Sequence, residues 1–401
     1  MGTVMKFGGT SVATVEKMQS IAKFVRNRRE TGESIVVVVS AMGKTTDRLV
    51  EMAANLSEHP DPRELDMLLS TGEQQSVALL AMGLDAEGVA AISMTGAQAG
   101  IRTEGKYTRN RIANIDASAI EAQHSMGRVV VVAGFQGMNE AGDITTLGRG
   151  GSDTTAVALA AKLGFACEIY TDVDGIYTVD PRHYPKAKRL SHLTYTECME
   201  MSALGAGVIE TRSVELAKKY NVELYIARSL STQGSGTTIM NEDYMFEAKP
   251  ITGLSITDNV VMITLKGIDN DNRRVAGIFQ VVSDHNINLD MISQTIDQHN
   301  RLVLSFSIDG DDLEEWHQLQ SGHENLFRGL DIETHDNLVK LSLIGVGMAS
   351  HFGVAARVFE TLADADIPFY HVSTSEISIS VTVDNAHQNP AIHRLAEVFQ
   401  L

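Results

Sequence analysis

MKFGGTSV, residues 5–12, ends a short apolar strand and leads into the first helical pattern of this 401-residue chain. Its two glycines, Gly8 and Gly9, let the backbone approach a bulky anion closely, and a following helix N-terminus offers unpaired N–H groups to that anion. Lys6 adds a positive charge that suits phosphate. An ordinary strand-to-helix turn with a surface lysine also explains this stretch. The choice between an anion-binding turn and an ordinary one therefore depends on the motifs further along the chain.

Apolar runs of strand length alternate with helical patterns over the next 230 residues. Residues 35–39 are apolar throughout, as in a strand covered on both faces. The alternation predicts an α/β fold with a mainly parallel sheet sandwiched between helices, and ligands of such sheets gather at the carboxyl ends of the strands. The predicted strands are 4–7, 35–39, 89–92, 129–133, 168–171 and 223–226, and the predicted helices include 65–82, 154–163, 212–220 and one with Leu49, Met52, Ala53 and Leu56 on one side.

The composition describes a packed, acidic protein with more than one domain, because its 401 residues exceed what one core usually holds. A net charge of −18 argues against nucleic acid and anionic membranes as partners, since both favour basic surfaces. No apolar run approaches the roughly 18 residues of a membrane helix, and the first residues show no export signal. Cys167 and Cys198 imply no disulfide framework, so we expect a cytoplasmic protein.

Two loops after predicted strands carry unusual residues. Residues 40–47 read SAMGKTTD, which resembles half of a P-loop, but Val38 stands where the earlier glycine would be, so we reject that interpretation. Residues 70–74 read STGEQ, where a glycine interrupts a helical pattern and Glu73 stands beside it. Glu73 is either a binding carboxylate or a solvated helix residue, and the local pattern does not decide.

The richest segment is LGRGGSDTTA, residues 147–156. Helix capping explains its Ser, Asp and Thr, but not three glycines around Arg149. A backbone this bare allows a ligand to approach, and Arg149 offers a planar fork to a carboxylate or phosphate. Further on, residues 170–182 read YTDVDGIYTVDPR, where Tyr177 and Arg182 are candidates for holding a nucleotide.

Taken together, residues 6–11, 70–73, 148–155 and 171–182 resemble the motifs of aspartate kinases, in the order of that family. The resemblance implies the amino acid kinase fold. It also implies transfer of the ATP γ-phosphate to the side-chain carboxylate of L-aspartate, giving 4-phospho-L-aspartate, the first step of lysine, threonine and methionine biosynthesis. Phosphoryl transfer needs positioning and charge neutralisation, and an acceptor carboxylate is already ionised near neutral pH, so no general base is required.

The resemblance also assigns roles to individual residues. Lys6 and Asp153 are the catalytic pair, and Mg²⁺ enters with ATP rather than through a protein metal site. The implied nucleotide-binding residues are Lys6, Phe7, Gly8, Gly9, Thr171, Asp172, Tyr177 and Arg182. The implied aspartate-binding residues are Thr46, Glu73, Arg149 and Ser152, with Arg149 on the α-carboxylate and Glu73 on the ammonium group.

One position departs from the family pattern. Relatives carry Gly-Ala-Lys-Val followed by His-Pro-Arg-Ser, whereas residues 205–208 read GAGV and residues 210–213 read ETRS. Gly207 therefore replaces a lysine that would reach the nucleotide. Gly207 supports one alternative, a catalytically silent sensor that only binds an amino acid. A second alternative, a related kinase acting on glutamate or another carboxylate, also stays open.

The last third of the chain repeats itself with an offset of about 80 residues. The two copies resemble ACT domains, which implies feedback control by a small amino acid such as lysine or threonine, and a homodimer or larger assembly. We predict a kinase domain at 1–240, a linker at 241–250 and ACT domains at 251–330 and 336–401. The resemblance implies six effector contacts: Asn270, Asn288, Asp290, Gln294, Ser375 and Glu376. The alternative is that these residues only stabilise the fold.

Overall fold

The computed structural model describes residues 2–231, 235–241 and 249–401, so most of the predicted linker at 241–250 lies outside the described residues. The chain divides into two compact units. The first comprises Met1–Tyr177, Arg189–Ala203 and Gly207–Phe246, and the second comprises Thr178–Lys188, Leu204–Ala206 and Glu247–Leu401. None of the helices in the described ranges combines the length and apolarity needed to cross a bilayer.

The first unit alternates strands with helices, as the sequence predicts. Its strands are β1 (Gly2–Phe7), β2 (Ser34–Val39), β3 (Ala91–Met94), β4 (Ile101–Glu104), β5 (Arg111–Ile115), β6 (Val129–Ala133), β7 (Gln136–Met138), β8 (Ile144–Thr146), β9 (Ala166–Thr171), β10 (His192–Thr194), β11 (Leu224–Arg228) and β12 (Thr237–Met240). Its helices are α1 (Val15–Glu30), α2 (Thr45–Leu56), α3 (Pro62–Ala86), α4 (Ser118–Ser125), α5 (Gly151–Leu163), α6 (Tyr195–Met201) and α7 (Thr211–Tyr220).

The main sheet of this unit has the strand order β10-β12-β11-β9-β1-β2-β6-β3 within the described residues. Its pairings are parallel except for β11 with β12. The valine-rich strands β2 and β6 lie side by side and are almost wholly buried, because helices cover both faces of the sheet. Val37 on one face packs in a core with Ile21 of α1 and Leu80 of α3. The predicted fold class is confirmed.

The strand start predicted at Val89 is wrong, whereas the helix predicted across Gly72 is confirmed. The strand predicted at 89–92 begins at Ala91, because Val89 takes part in the closing turn that follows α3. Its N–H donates to the carbonyl of Leu84 at 2.9 Å, after a left-handed Gly88, which is the usual way to close a helix. Gly72 does not interrupt α3. A Cβ there would lie 2.8 Å from the Cβ of Ala41, so the glycine allows α3 to press against the loop after β2.

A smaller four-stranded sheet, β5-β4-β7-β8, was not predicted. Its strands have three to five residues, too few for a clear alternating pattern. The hydroxyls of Thr103 on β4 and Thr145 on β8 lie 2.6 Å apart in its interior. The sheet matters because β8 leads directly into Gly148 and Arg149.

The second unit holds a six-stranded antiparallel sheet in the order β14-β15-β13-β16-β18-β17. The strands are β13 (Gly253–Ile268), β14 (Asp290–Ile296), β15 (Leu302–Asp309), β16 (Asp331–Ile344), β17 (Phe369–Thr374) and β18 (Ser378–Asp384). The helices are α8 (Asn272–Asp284), α9 (Leu313–Gly322), α10 (Glu324–Phe327), α11 (Val354–Ala363) and α12 (Gln388–Phe399).

The predicted repeat is visible in this unit as two similar modules. Helices α8 and α11 occupy corresponding places, and Ile278 and Val358, which are 80 positions apart, are both fully buried against their own core. The long strand β13 takes part in both cores, through Leu254 in one and Ile263 in the other. The domain boundaries at 330 and 336 stay a prediction, because β13 and β16 run through both modules.

Candidate active site

The glycine turn after β1 is held from two sides. The N–H of Gly8 donates to the carbonyl of Tyr170 at the end of β9, at 3.1 Å. A Cβ on Gly9 would lie 2.9 Å from the carbonyl oxygen of Ala41, so only glycine allows this close approach to the loop after β2. Helix α1 begins later than the turn, at Val15. The turn thus lies at the carboxyl ends of three neighbouring strands, where sheets of this class place their ligands.

Lys6 and Asp153 meet beside this turn. The ammonium of Lys6 lies 2.6 Å from the Asp153 carboxylate, and their side chains are only 11% and 13% exposed. Asp153 stands in the first turn of α5, which begins after the left-handed Gly150. The pair is therefore built by the end of β1 and the start of α5, from residues 147 positions apart.

Glu73 is a buried carboxylate with one unused oxygen. It is 3% exposed on the inner face of α3, which excludes the interpretation as a solvated helix residue. Its Oε1 accepts from the N–H of Ala41 at 3.0 Å, whereas Oε2 is buried and has no hydrogen-bond partner among the described residues. Burial raises the pKa of Glu73 to about 7, against the opposing effect of backbone N–H groups. Such a group is suited to receive a cation.

The glycines around Arg149 are needed by the backbone itself. Gly148 and Gly150 have φ of 78° and 62°, in the left-handed region. A Cβ on Gly150 would lie 2.3 Å from the Cβ of Glu210, so no side chain fits there. Arg149 is exposed, and its side chain makes no ion pair within the described part of the chain. Its guanidinium is therefore available to an anion.

These residues line one cavity of about 560 Å³, a size that falls within the range of roughly 300–1,000 Å³ for small-molecule sites. The structure brings together seven residues to which the sequence assigned a role, and with them the three glycines around Arg149: Lys6, Gly9, Thr46, Glu73, Arg149, Ser152 and Asp153, with Gly148, Gly150 and Gly151. The cavity wall also contains residues to which sequence reasoning gave no role, namely Ser40, Ala41, Gly43, Val50 and Phe135. Ser40 and Gly43 belong to the loop at 40–47, from which sequence reasoning took only Thr46 as a site residue, and the position of this loop directly after β2 was the signal that could have found them.

Of the predicted nucleotide residues, Lys6 and Gly9 line this cavity, and the others are not among its lining residues. Thr171 is the last residue of β9, and its carbonyl accepts from the N–H of Ser229 at 2.9 Å. The hydroxyl of Ser229 lies 2.5 Å from that of Ser11, so this edge of the sheet is fastened to the glycine turn. The Thr171 hydroxyl donates to Asp172 at 3.1 Å.

The remaining two nucleotide candidates are both paired. The hydroxyl of Tyr177 donates to the carboxylate of Asp174 at 3.1 Å. Arg182 belongs to the second unit, where its guanidinium lies 2.6 Å from the carboxylate of Asp180.

Gly207 has a structural reason to be glycine. Its φ is 60°, in the left-handed region, directly after a break in the helical backbone at Gly205. A lysine at 207 would be strained in this conformation. The backbone conformation at position 207 therefore accounts for a glycine where the family pattern has a lysine.

The proposed effector residues lie in the second unit. Asp290 pairs with the ammonium of Lys340, whose side chain is only 5% exposed. Partial burial works to raise the pKa of Asp290, but the hydrogen bond and charge of Lys340 outweigh it and hold the pKa below its ordinary value. The Asn270 amide donates to Asn300 at 3.4 Å, and the Ser375 hydroxyl lies 2.8 Å from that of Ser378. Three further candidates are exposed: Asn288, Gln294 and Glu376.

Comparisons with known proteins agree with this architecture. The model of the amino acid kinase family matches residues 1–228, and an ACT domain model matches residues 341–399. An aspartokinase of Bacillus sp. (strain MGA3) is 46% identical over 399 residues, covering 99% of this chain and 97% of the relative. One of Geobacillus stearothermophilus is 47% identical over 399 residues, again covering 99% of this chain and 97% of the relative.

Solved structures show the same fold. Aspartokinase III of E. coli in complex with aspartate and ADP has a TM-score of 0.79 at 24% identity, with 99% of each chain covered. The chain therefore belongs to the amino acid kinase family. Within that family it belongs to the aspartokinases that carry ACT domains, which confirms the resemblance found in the sequence.

Proposed function

We propose that this chain transfers the γ-phosphoryl group of ATP to the side-chain carboxylate of L-aspartate, giving 4-phospho-L-aspartate for lysine, threonine and methionine biosynthesis. The observation that carries the proposal is the unused buried oxygen of Glu73 in the same cavity as the Lys6–Asp153 pair. A buried carboxylate oxygen is a receptor for an ammonium group, and a buried lysine is a receptor for phosphate. A kinase that transfers phosphate from a nucleotide to an amino acid needs both a receptor for the ammonium group and a receptor for the phosphates.

The aspartate side of the site uses four side chains. Arg149 binds the α-carboxylate through its planar fork, because its guanidinium has no other partner in the described residues. Glu73 binds the α-ammonium through Oε2. Thr46 and Ser152 supply hydroxyls, and all four line the cavity. The acceptor carboxylate is already ionised near neutral pH, so the site needs no catalytic base.

The ATP side begins at Lys6, which neutralises charge on the phosphates while Asp153 fixes the direction of its ammonium. Gly8 and Gly9, directly after Phe7, bring bare backbone to the phosphates, and Thr171, Asp172 and Tyr177 complete the nucleotide site, while the role of Arg182 stays a prediction from the sequence. Mg²⁺ would enter with ATP, bound to the phosphate oxygens. Bound in that way, Mg²⁺ would spread the charge that develops during transfer.

A trapping assay tests the reaction and its acceptor. The protein is incubated with ATP, Mg²⁺ and hydroxylamine, and aspartate, glutamate or N-acetylglutamate is offered in turn. Hydroxamate from aspartate alone supports the proposal. Hydroxamate from another acceptor identifies a different amino acid kinase, and none from any acceptor identifies an amino-acid sensor.

We also propose regulation by lysine, threonine or both through the second unit, with Asn270, Asn288, Asp290, Gln294, Ser375 and Glu376 as effector contacts. Strands β14 and β17 are the two edges of its sheet and expose apolar side chains, with Ile292 54% and Val372 43% exposed. Unpaired edges of this kind favour pairing with a second chain, so we expect a homodimer or larger assembly. Titration of both amino acids into the assay, singly and mixed, tests regulation, and light scattering tests assembly.

The two cysteines are free and buried, which fits a reducing compartment such as the cytoplasm.

A further inference from the structure

Asp66 is a fully buried carboxylate with a role that phosphoryl transfer does not explain. It lies in α3, two turns before Glu73 and on the same buried face. Its two oxygens accept from the N–H of Thr108 at 3.1 and 3.0 Å, and Oδ1 also accepts from the hydroxyl of Thr146 at 2.5 Å. Within the described residues no cationic side chain pairs with it. A buried charge without a counterion is costly, so these hydrogen bonds must serve the fold or the site.

The groups that bind Asp66 belong to two segments that lie side by side. Thr108 has a left-handed backbone, with φ of 68°, in the loop between β4 and β5. Thr146 ends β8, and its carbonyl accepts from the N–H of Asn110 at 3.0 Å. Asp66 therefore fastens α3 to both the 108–110 loop and the end of β8.

Arg212 of α7 fastens the same two segments from another element. One of its guanidinium nitrogens, Nη1, donates to the carbonyl of Leu147 at 3.2 Å and to that of Asn110 at 3.3 Å. Leu147 follows Thr146 directly. We call Asp66, Thr108, Asn110, Thr146 and Arg212 the loop bracket, because they hold the end of β8 between α3 and α7.

Thr146 of the loop bracket is separated by only one residue, Leu147, from the turn that carries Arg149. A Cβ on Gly148 would lie 3.3 Å from the carbonyl oxygen of Thr108, so the turn rests directly on the bracketed loop. The Arg149 side chain has no partner of its own among the described residues. The position of its guanidinium therefore depends on the position of the backbone of this turn. Glu73, on the other hand, is carried by the same helix as Asp66.

We propose that Asp66 is a positioning residue for amino acid binding, which sets the distance between the Arg149 turn and Glu73. This inference rests on the proposed function, in which Arg149 holds the α-carboxylate and Glu73 the α-ammonium of the substrate. Those two groups are separated by a single carbon in every α-amino acid. A carboxylate that ties the helix of one binding group to the turn of the other therefore keeps the site matched to that spacing.

Thr146→Val and Thr146→Ser are the matched test variants. Valine has the shape of threonine but lacks the hydroxyl that donates to Asp66, and serine keeps that hydroxyl. We expect Thr146→Val to raise the KM for aspartate about tenfold, a change of about 1.4 kcal/mol, because the buried carboxylate loses a donor. The KM for ATP should stay within about twofold, and Thr146→Ser should behave like wild type.

Asp66→Asn tests the carboxylate itself, since its amide NH2 would face the N–H of Thr108. We expect it to raise the KM for aspartate at least as much as Thr146→Val. Melting temperatures are measured for every variant. An unchanged KM for aspartate in Thr146→Val, with only a lower melting temperature or kcat, would show that the bracket merely supports the fold. If Asp66→Asn does not fold, the Thr146 pair alone decides.

A double variant separates this inference from the proposed function. If Asp66 acts through Arg149, Thr146→Val adds little to the KM for aspartate of Arg149→Ala, and fully additive effects would overturn the positioning role. If Arg149→Ala by itself leaves the KM for aspartate unchanged, the proposed substrate site is wrong. If Arg149→Ala raises it and the bracket variants do not, only the bracket inference is wrong.

Discussion

The ammonium of Lys6 lies 2.6 Å from the carboxylate of Asp153, where the end of β1 meets the start of α5. Both side chains line the cavity that also contains Glu73 and Arg149. The pair places one buried positive charge, with a fixed direction, between the glycine turn and the proposed aspartate site. We propose that the Lys6 ammonium of this pair neutralises phosphate charge during transfer.

Lys6→Met should abolish turnover and spare aspartate binding. The kcat is expected to fall about 100-fold or more, because the charge that develops on the phosphoryl group loses its cation. Aspartate affinity, measured by calorimetry, should change little, since Arg149 and Glu73 remain. Lys23→Met on the exposed face of α1 is the control. A variant at Lys6 with ordinary turnover contradicts this role.

Arg149→Ala should act on aspartate and not on ATP. We expect the KM for aspartate to rise about 30-fold, or about 2 kcal/mol, because the α-carboxylate of the substrate loses its charged partner. Steady-state kinetics with each substrate varied in turn measures the KM for aspartate and the KM for ATP separately. Arg102→Ala, at an exposed position on β4, is the matched control. Wild-type dependence on aspartate in Arg149→Ala would rule out the guanidinium as a clamp.

Glu73 should make aspartate use depend on pH near neutrality. Burial raises its pKa from 4.5 to about 7, so the free enzyme holds a neutral carboxyl below pH 7 and a carboxylate above it. Only the carboxylate pairs with the α-ammonium. We therefore expect kcat/KM for aspartate to rise as the pH passes through about 7 and then to level off, since this quantity reports the free enzyme.

Glu73→Gln is the control for that pH profile. It should lower kcat/KM for aspartate and remove the rise near pH 7. The free energy of unfolding gives a second readout. Because the folded state binds the Glu73 proton more tightly than the unfolded state, this group lowers stability as the pH rises from 4.5 to 7. The glutamine variant should lose that decline. A variant that keeps the wild-type profile assigns the titration to another group.

Gly207→Lys should not restore the cation that other family members carry. Lysine and alanine are both strained at a φ of 60°, at a cost of about 1 kcal/mol. We expect Gly207→Lys and Gly207→Ala to lower the melting temperature by similar amounts and the KM for ATP to stay near wild type in both. A marked fall in the KM for ATP in the lysine variant alone would show that this backbone accepts the family residue.

Asp290→Asn should leave the buried ammonium of Lys340 without its counterion. We expect a loss of about 2 kcal/mol in the free energy of unfolding, less than for a fully buried pair because Asp290 is half exposed. Lys340→Met in the same chain should recover part of the loss, since it removes the unpaired charge. Denaturant titration of the two single variants and the double variant measures this. Purely additive losses would mean that the two groups do not depend on each other.

The sequence was sufficient to predict the wholly apolar strands and the site residues that lie on glycine-rich turns. The valine runs of β2 and β6 could be predicted as strands because no polar residue interrupts them, and the run of β2 indicated a strand covered on both faces. The glycines around Arg149 indicated a close approach of a ligand. The structure adds that Gly150 is also required by the packing of Glu210, which lies 60 positions further along the chain.

What the sequence left out depends on contacts between distant positions. Asp66 appeared as one more polar residue in a helix, because its partners Thr108 and Thr146 are 42 and 80 positions away. Met52 and Leu56 of α2 have helical spacing and are nevertheless 62% and 91% exposed, since hydrophobic periodicity does not show what covers a face. Buried polar contacts and uncovered apolar faces are therefore the features that needed the structure.

A crystal structure of the protein with ADP and aspartate tests the central claim most directly. We predict that the guanidinium of Arg149 lies on the α-carboxylate of aspartate, that Oε2 of Glu73 accepts from its ammonium group, and that the ammonium of Lys6 contacts phosphate oxygen. A complex in which Arg149 faces bulk solvent, Lys6 is turned away from the phosphates and aspartate lies outside this cavity would contradict the account.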